Sequence, residues 1–267
     1  MKTIYIKDDG IDIVEKYVDA QRVPTIEEVQ LLFKFEKDLR WRMIWLLLFC
    51  AGMRPYEVQI LTTQNIIQDP YTLEFVGLRY QVAKAKVRKR KDGTLYKEVK
   101  IKTIYKDSYA KKKYRRPGDI GDYVMEELEK YYHAYKLTMK EKRIFGGIET
   151  SRIRKEFSIR RKRIIKVSGG EGFADLITDN GNGAVKLRYR IELYSGRRFF
   201  LTFYHFTIAG GDIVRTQRRI GHTFEKDTFT YVHTKESIGF NPEIHQGYDI
   251  LVNALPKEQL VLTSFLS

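Results

Sequence analysis

At 267 residues and 43% apolar side chains, the chain is long enough for one large domain or two small ones, and its composition excludes an intrinsically disordered polymer. Lys and Arg outnumber Asp and Glu by 49 to 34, and this net charge of +15 predicts a polyanionic partner, either nucleic acid or an anionic membrane surface. The single cysteine, Cys50, sits in the apolar run Trp45 to Cys50; it excludes a disulfide scaffold, argues against a zinc site and reads as a small buried hydrophobe in a reducing interior.

Taken in chain order, Met1-Lys2-Thr3-Ile4 runs straight into Asp8-Asp9 without a signal peptide, and the apolar run around Leu46 is far short of a membrane span, so a cytoplasmic location is expected. Residues 1–22 read as a short lead-in, 23–235 as the main domain and 236–267 as a tail. Thr25-Ile26-Glu27-Glu28 has the spacing of a capping box ahead of Val29, Leu32 and Phe33, which predicts a helix starting at Thr25. Leu39 to Cys50 is apolar nearly all round, the pattern of a buried helix, and Gly52 ends it. Pro55 then opens a further helix, which leaves Arg54 at its N-terminus, where free amides and the helix dipole favour an anion. An ordinary capping arginine paired with Glu57 fits the same residues.

After Leu61 the pattern changes to short strands, at 72–76, 80–90 and 94–105, with Asp92-Gly93 as a hairpin turn. From Lys84 to Arg116 there are 15 basic residues against three acidic ones, so most of the net charge lies in this hairpin and the loop after it. Such a concentration of one sign predicts a surface for phosphate backbones, with Lys84, Lys86, Arg88, Lys89, Arg90, Lys111, Lys112 and Lys113 as its contacts. A helix from Asp119 or Asp122 to about Lys136 has Val124, Leu128 and Tyr131 on its inner face. Another, Ser151 to Val167, turns Ile153, Phe157 and Ile164 inward and predicts a second basic face that includes Arg160 and Arg161. A second hairpin pairs 173–178 with 185–193 across Asn180-Gly181-Asn182-Gly183. Arg197 begins a helix running to Ala209, and Asp212 caps the next, Ile213 to Ile220. The expected class is α+β, mainly helical with a small antiparallel sheet.

Three motifs remain. Ala51-Gly52-Met53-Arg54-Pro55-Tyr56-Glu57, Tyr194-Ser195-Gly196-Arg197, and Gly221-His222 followed nine positions later by Tyr231 stand in this order along the chain. Together with Gly210-Gly211-Asp212-Ile213, they resemble the catalytic domain of tyrosine recombinases of the lambda-integrase type, across about residues 24–235, with the specific matches around Arg54 and in the last thirty residues of that span. The resemblance implies that Arg54 and Arg197 clamp a phosphate, that His222 donates a hydrogen bond to it, and that Tyr231 is a nucleophile forming a 3′-phosphotyrosine link. A phosphodiester exchanged for a phosphotyrosine keeps its bond energy, so no metal, nucleotide or other cofactor is expected. Two guanidiniums suit the charge of the transferring phosphoryl group, and the 5′-oxygen needs an acid to leave. The resemblance places that acid, a lysine, near a strand turn: Lys91 fits best, with Lys89 and Lys86 as alternatives. Tyr194 occupies the position where the family usually has His, and the long interval from Arg197 to His222 leaves Arg198 open as the clamp residue. The expected partners are double-stranded DNA and further copies of the chain, as a dimer or tetramer, and the apolar tail either packs on a neighbouring protomer or folds back on its own core. The chain looks most like compact archaeal or viral integrases, since 22 residues cannot form the N-terminal DNA-clasping domain of many members. The implied activity is site-specific recombination or integration; a non-cutting DNA-binding module, a type IB topoisomerase-like relaxer and a transposase are the alternatives. A membrane-surface role fits less well, because the basic residues lie on a strand pair rather than an apolar helix face.

Overall fold

The computed structural model describes residues 2–8, 11–17, 23–82, 86–89, 91–98, 100–138, 143–167, 176–179, 186–189, 191–221, 228–243 and 245–251, with the backbone alone at 2–8, 11–17, 86–89, 96–98, 165–167, 176–179, 186–189 and 236. The lead-in pairs with itself: β1 (Lys2–Asp8) lies antiparallel to β2 (Ile11–Tyr17). Helix α1 (Ile26–Phe35) starts where its capping box stands, with Thr25 Oγ1 accepting the Glu28 amide at 3.2 Å and the Glu28 carboxylate accepting the Thr25 amide at 2.8 Å. Helix α2 (Leu39–Trp45), capped by Asp38, runs on as a π-helical turn, Leu46–Cys50, and everything from Trp41 to Cys50 is buried. Trp41 stacks on Trp45, and Trp45 and Phe49 both meet Phe157 of α6 (Thr150–Val167).

Gly52 ends this central helix with φ +64°, and a Cβ there would sit 2.4 Å from the Phe200 ring, so only glycine fits the turn leading to Arg54. Helix α3 (Pro55–Gln59) follows. A three-stranded antiparallel sheet, in the order β3 (Ile66–Gln68), β4 (Phe75–Gln81), β7 (Ile101–Tyr105), turns Leu78, Tyr80 and Ile104 into the core. Between β4 and β7 the chain extends as a second pair, β5 (Lys86–Lys89) with β6 (Leu95–Glu98). Its turn forms as expected: Asp92 Oδ1 accepts from the amide and hydroxyl of Thr94, and Gly93 takes φ +87°.

The segment expected as a loop after this hairpin is helix α4 (Asp107–Tyr114). Its only buried residue is Ala110, so it shows no apolar stripe; Asp107 in the first turn pairs with Lys111 at 2.5 Å and Arg115 closes the end with φ 52°. Helix α5 (Asp122–Ala134) buries Val124, Leu128 and Tyr131 and packs on β4, where Tyr132 meets Phe75 edge to face. The second hairpin is β8 (Leu176–Asp179) with β9 (Lys186–Tyr189). Helix α7 (Ser195–Phe203) also ends in a π-helical turn, Tyr204–Ile208, before α8 (Ile213–Ile220), whose cap is Asp212. The described part of the tail folds back on its own chain: the Gln30 side chain donates to the Ile250 carbonyl, the Tyr248 hydroxyl donates to the Gly118 carbonyl, and Leu251 is buried. The class is α+β, mostly helical with a small antiparallel sheet. Among the described residues no helix is long and apolar enough to cross a membrane.

Candidate active site

Arg54 stands at the N-cap of α3. Glu57, one turn on and 1% exposed, accepts both the Arg54 amide and its Nη1, each at 2.8 Å. Burial works against the guanidinium charge, but Glu57 and Tyr194 outweigh it and hold the Arg54 pKa above the ordinary value. The capping pair with Glu57 therefore forms, and it leaves the buried Nε without a hydrogen bond among the described residues.

Arg197 enters from α7. It is 4% exposed, and its Nη1 donates to the Gly52 carbonyl at 2.6 Å. Its Nε and Nη2 are buried and make no hydrogen bond among the described residues. Burial, then the charge of Arg54, pushes its pKa below the usual arginine value. A buried guanidinium whose Nε and Nη2 make no hydrogen bond among the described residues, beside another arginine, is able to donate to an anion. Of the two candidate registers, Arg197 is the one whose pKa the Arg54 charge lowers, whereas the charge of Arg198 is felt at His233.

Tyr231 follows a short turn in which its amide donates to the Thr228 carbonyl at 2.9 Å. Thr202 of α7 holds the same backbone, its hydroxyl meeting the Tyr231 carbonyl at 3.4 Å and accepting the His233 amide at 3.0 Å. The Tyr231 hydroxyl lies 2.6 Å from that of Tyr194, and the Arg197 guanidinium stands 6.0 Å from the Tyr231 ring. Burial, then the hydrogen bond with Tyr194, raises the Tyr231 pKa against the pull of Arg197 and Arg54. The structure thus brings together Arg54, Tyr194, Arg197 and Tyr231, four residues expected from sequence motifs. His222 lies outside the described residues.

The expected lysine is not in this group. Lys91 is exposed in the turn at the end of the β5–β6 hairpin, and Lys89 and Lys86 lie on β5. Lys102 of β7, absent from the sequence expectations, stands beside Arg197 and Arg219 and makes no hydrogen bond or ion pair among the described residues. It pairs with buried Tyr80 across the sheet and shares the inward face of β7 with Ile104. Desolvation, then the charges of Arg219 and Arg197, push its pKa well below the ordinary lysine value. A lysine at an inward-facing strand position was the available signal, but it could be read only once the strand's register was known.

Arg219 of α8 was also missed. It is 4% exposed, donates to the carbonyls of Asp119 and Ala51 at 2.9 Å each, and its guanidinium centre sits 4.8 Å from the Phe200 ring. Arg219 and Arg197 thus grip the consecutive carbonyls of Ala51 and Gly52, fixing the turn that carries Arg54. Two expectations for the basic surface are corrected. Arg160 is turned to Glu36, at 2.6 Å, and to Glu156, over the face of Trp41; Arg161 is buried and donates to the Ile191 carbonyl at 3.0 Å. Carboxylates and a carbonyl inside the fold take up these two charges. Lys112 and Lys113 of α4 are exposed as expected, whereas Lys84 and Arg90 lie outside the described residues and the side chains of Lys86, Arg88 and Lys89 are not described.

No family model and no curated protein matches the sequence. Solved structures do. The structure of XerA recombinase is similar with a TM-score of 0.50 at 16% identity, over 84% of this chain and 63% of that one. The Tn1549 transposon integrase in complex with transposon right end DNA gives 0.48 at 14% identity, over 82% and 64% of the two chains. XerH site-specific recombinase bound to palindromic difH substrate gives 0.44 at 15% identity, over 80% and 50%. The chain therefore spans between half and about two thirds of the length of the structures it resembles. Mostly helical layers, a three-stranded antiparallel sheet and the XerA likeness together give this protein the fold of the tyrosine recombinase catalytic domain.

Proposed function

We propose that the protein cleaves and rejoins DNA through Tyr231, as a site-specific recombinase or integrase. The observation that carries this reading is the buried Arg197 guanidinium, whose Nε and Nη2 make no hydrogen bond among the described residues, next to Arg54 and 6.0 Å from the Tyr231 ring. A phosphodiester in that clamp meets donors from two arginines while Tyr231 Oη attacks phosphorus. The new Tyr231 O–P bond replaces the P–O5′ bond. The phenol proton of Tyr231 passes to solvent water, and the departing 5′-oxygen takes a proton from Lys102, which replaces Lys91 in this role and regains its proton from solvent. Tyr194 holds the nucleophile's hydroxyl before attack. Rejoining is the same step reversed, with the 5′-hydroxyl attacking the phosphotyrosine, so energy comes from the exchanged bond. Assembly as a dimer or tetramer on DNA belongs to the same reading.

The test is incubation with supercoiled plasmid in EDTA without nucleotide, followed by denaturant quenching, for the protein and for Tyr231→Phe. Relaxed DNA and a covalent adduct that both vanish in the variant are expected. Adduct formation by Tyr231→Phe would sink the assignment, and no adduct from either protein on its selected binding site would leave a DNA-binding module. Lys102→Ala should cleave slowly and be rescued by a bridging-sulfur leaving group, whereas Lys91→Ala should cleave normally; the reverse pattern returns the acid to the hairpin turn.

A further inference from the structure

We infer that a second anion subsite lies beside the clamp, in the cavity walled by Lys102, Arg115, Arg116, Arg215, Arg218 and Arg219, and that it holds one phosphate of the DNA strand leaving with the 5′-hydroxyl. The inference rests on the reading of Tyr231 as nucleophile and Lys102 as proton donor.

The cavity encloses about 630 Å³. Its two carboxylates are already engaged. Asp119 accepts the Tyr105 amide at 3.2 Å and lies 3.7 Å from Arg116 and 3.9 Å from Arg219. Asp212 is taken up as the cap of α8, accepting the Arg215 amide at 3.0 Å. Arg219 has its guanidinium on two carbonyls. Lys102, Arg115, Arg215 and Arg218 are left without an ion pair among the described residues, all facing one space.

Arg215 and Arg218 are one turn apart on α8 and so share a face, where like charges repel unless something negative stands between them. The Tyr204 hydroxyl, in contact with Arg215, adds a neutral donor to the same wall. Several convergent donors around a cavity suit a tetrahedral oxyanion, whose oxygens accept from more than one of them at once. Lys102 sets the direction. It stands beside Arg197 of the clamp and lines this cavity as well, so a 5′-oxygen protonated by Lys102 departs on the cavity side, and the next phosphate of that strand falls among Arg115, Arg215 and Arg218. The subsite keeps the cut strand within reach for rejoining.

Two measurements test this. Duplex binding by Tyr231→Phe protein, titrated with salt, gives the number of phosphates neutralised. Arg215→Ala should lower the slope of log K against log salt by about one, Arg218→Ala likewise, and the double variant by no more than either, because one phosphate is shared. With Tyr231 intact, the double variant should accumulate several-fold more covalent adduct at equilibrium, since the 5′-hydroxyl strand escapes. An unchanged slope, or an additive loss of about two without extra adduct, overturns the subsite. Failure of the unaltered protein to form any adduct is a different result: it overturns the cleavage reading and with it the identity of the strand, while a shared slope loss would still report the anion site.

Discussion

A phosphate in this site would find its donors already aimed, because each clamp arginine is held by one of its own N–H groups and presents others. Arg54 is fixed by Glu57 and Arg197 by the Gly52 carbonyl. Removing either by Arg54→Ala or Arg197→Ala is expected to slow single-turnover cleavage by about 100- to 1000-fold, the usual loss for a preorganised transition-state donor, while DNA affinity stays close to that of the parent. Equal loss of binding and cleavage would show that the residue serves the ground state instead. Lys102 carries a pH signature. In the proposed reaction its acid form is the working form, and burial with the charges of Arg219 and Arg197 holds its pKa well below that of an ordinary lysine, so the cleavage rate should fall as pH rises through that depressed value. A pH–rate profile with this alkaline limb, lost in Lys102→Ala on a bridging-sulfur substrate, is the expected result. That Arg54, Arg197 and Tyr231 would come together was legible only through the family resemblance of the three motifs that hold them, since each motif alone fits an ordinary structural reading. Lys102 and Arg219 were not, since a lysine in Ile101-Lys102-Thr103-Ile104 and an arginine in Gln217-Arg218-Arg219-Ile220 gain meaning only from what the fold packs against them.

Elements were readable where a side chain closes its own backbone. The Thr25 capping box, the Asp212 cap, Pro55 at the start of α3 and the Asp92-Gly93 turn all form as the residue types require. Helix α4 was hidden because its stability comes from a terminal charge and an ion pair rather than an apolar stripe, and β3 because three residues carry too little alternation to see. The turn at Gly52 is where element and site meet. Gly52→Ala forces a side chain into φ +64°, costing about 1–2 kcal/mol from the backbone alone, and drives its Cβ against Phe200. We expect a lower melting temperature together with a cleavage defect, because Phe200 and Arg54 move apart in the same adjustment; a stability loss with cleavage intact would uncouple them.

At the scale of the whole molecule, the net charge of +15 is unevenly placed, with Lys112 and Lys113 exposed on α4 and Lys111 tied to Asp107. Changing Lys112 and Lys113 together to Ala should flatten the salt dependence of duplex binding by up to about two and leave the adduct yield at saturating protein unchanged. The fold class followed from the alternation of helical and short-strand patterns, whereas the inward turn of Arg160 and Arg161 depended on Glu36, 124 positions from Arg160, and on Ile191. The two π-helical turns, Leu46–Cys50 and Tyr204–Ile208, close with bonds five residues long, Ala51 to Leu46 and Ala209 to Tyr204, each one residue more than an α-helix needs. A turn widened in this way takes the extra residue into itself, so the chain beyond keeps nearly the phase it would have without that residue. A further residue inserted after Leu48 has no second wide turn to absorb it and rotates the exit by about 100°, swinging the Ala51 and Gly52 carbonyls away from Arg219 and Arg197. Such an insertion variant should melt as a folded protein yet lose cleavage, a well-packed molecule out of step with its own chemistry.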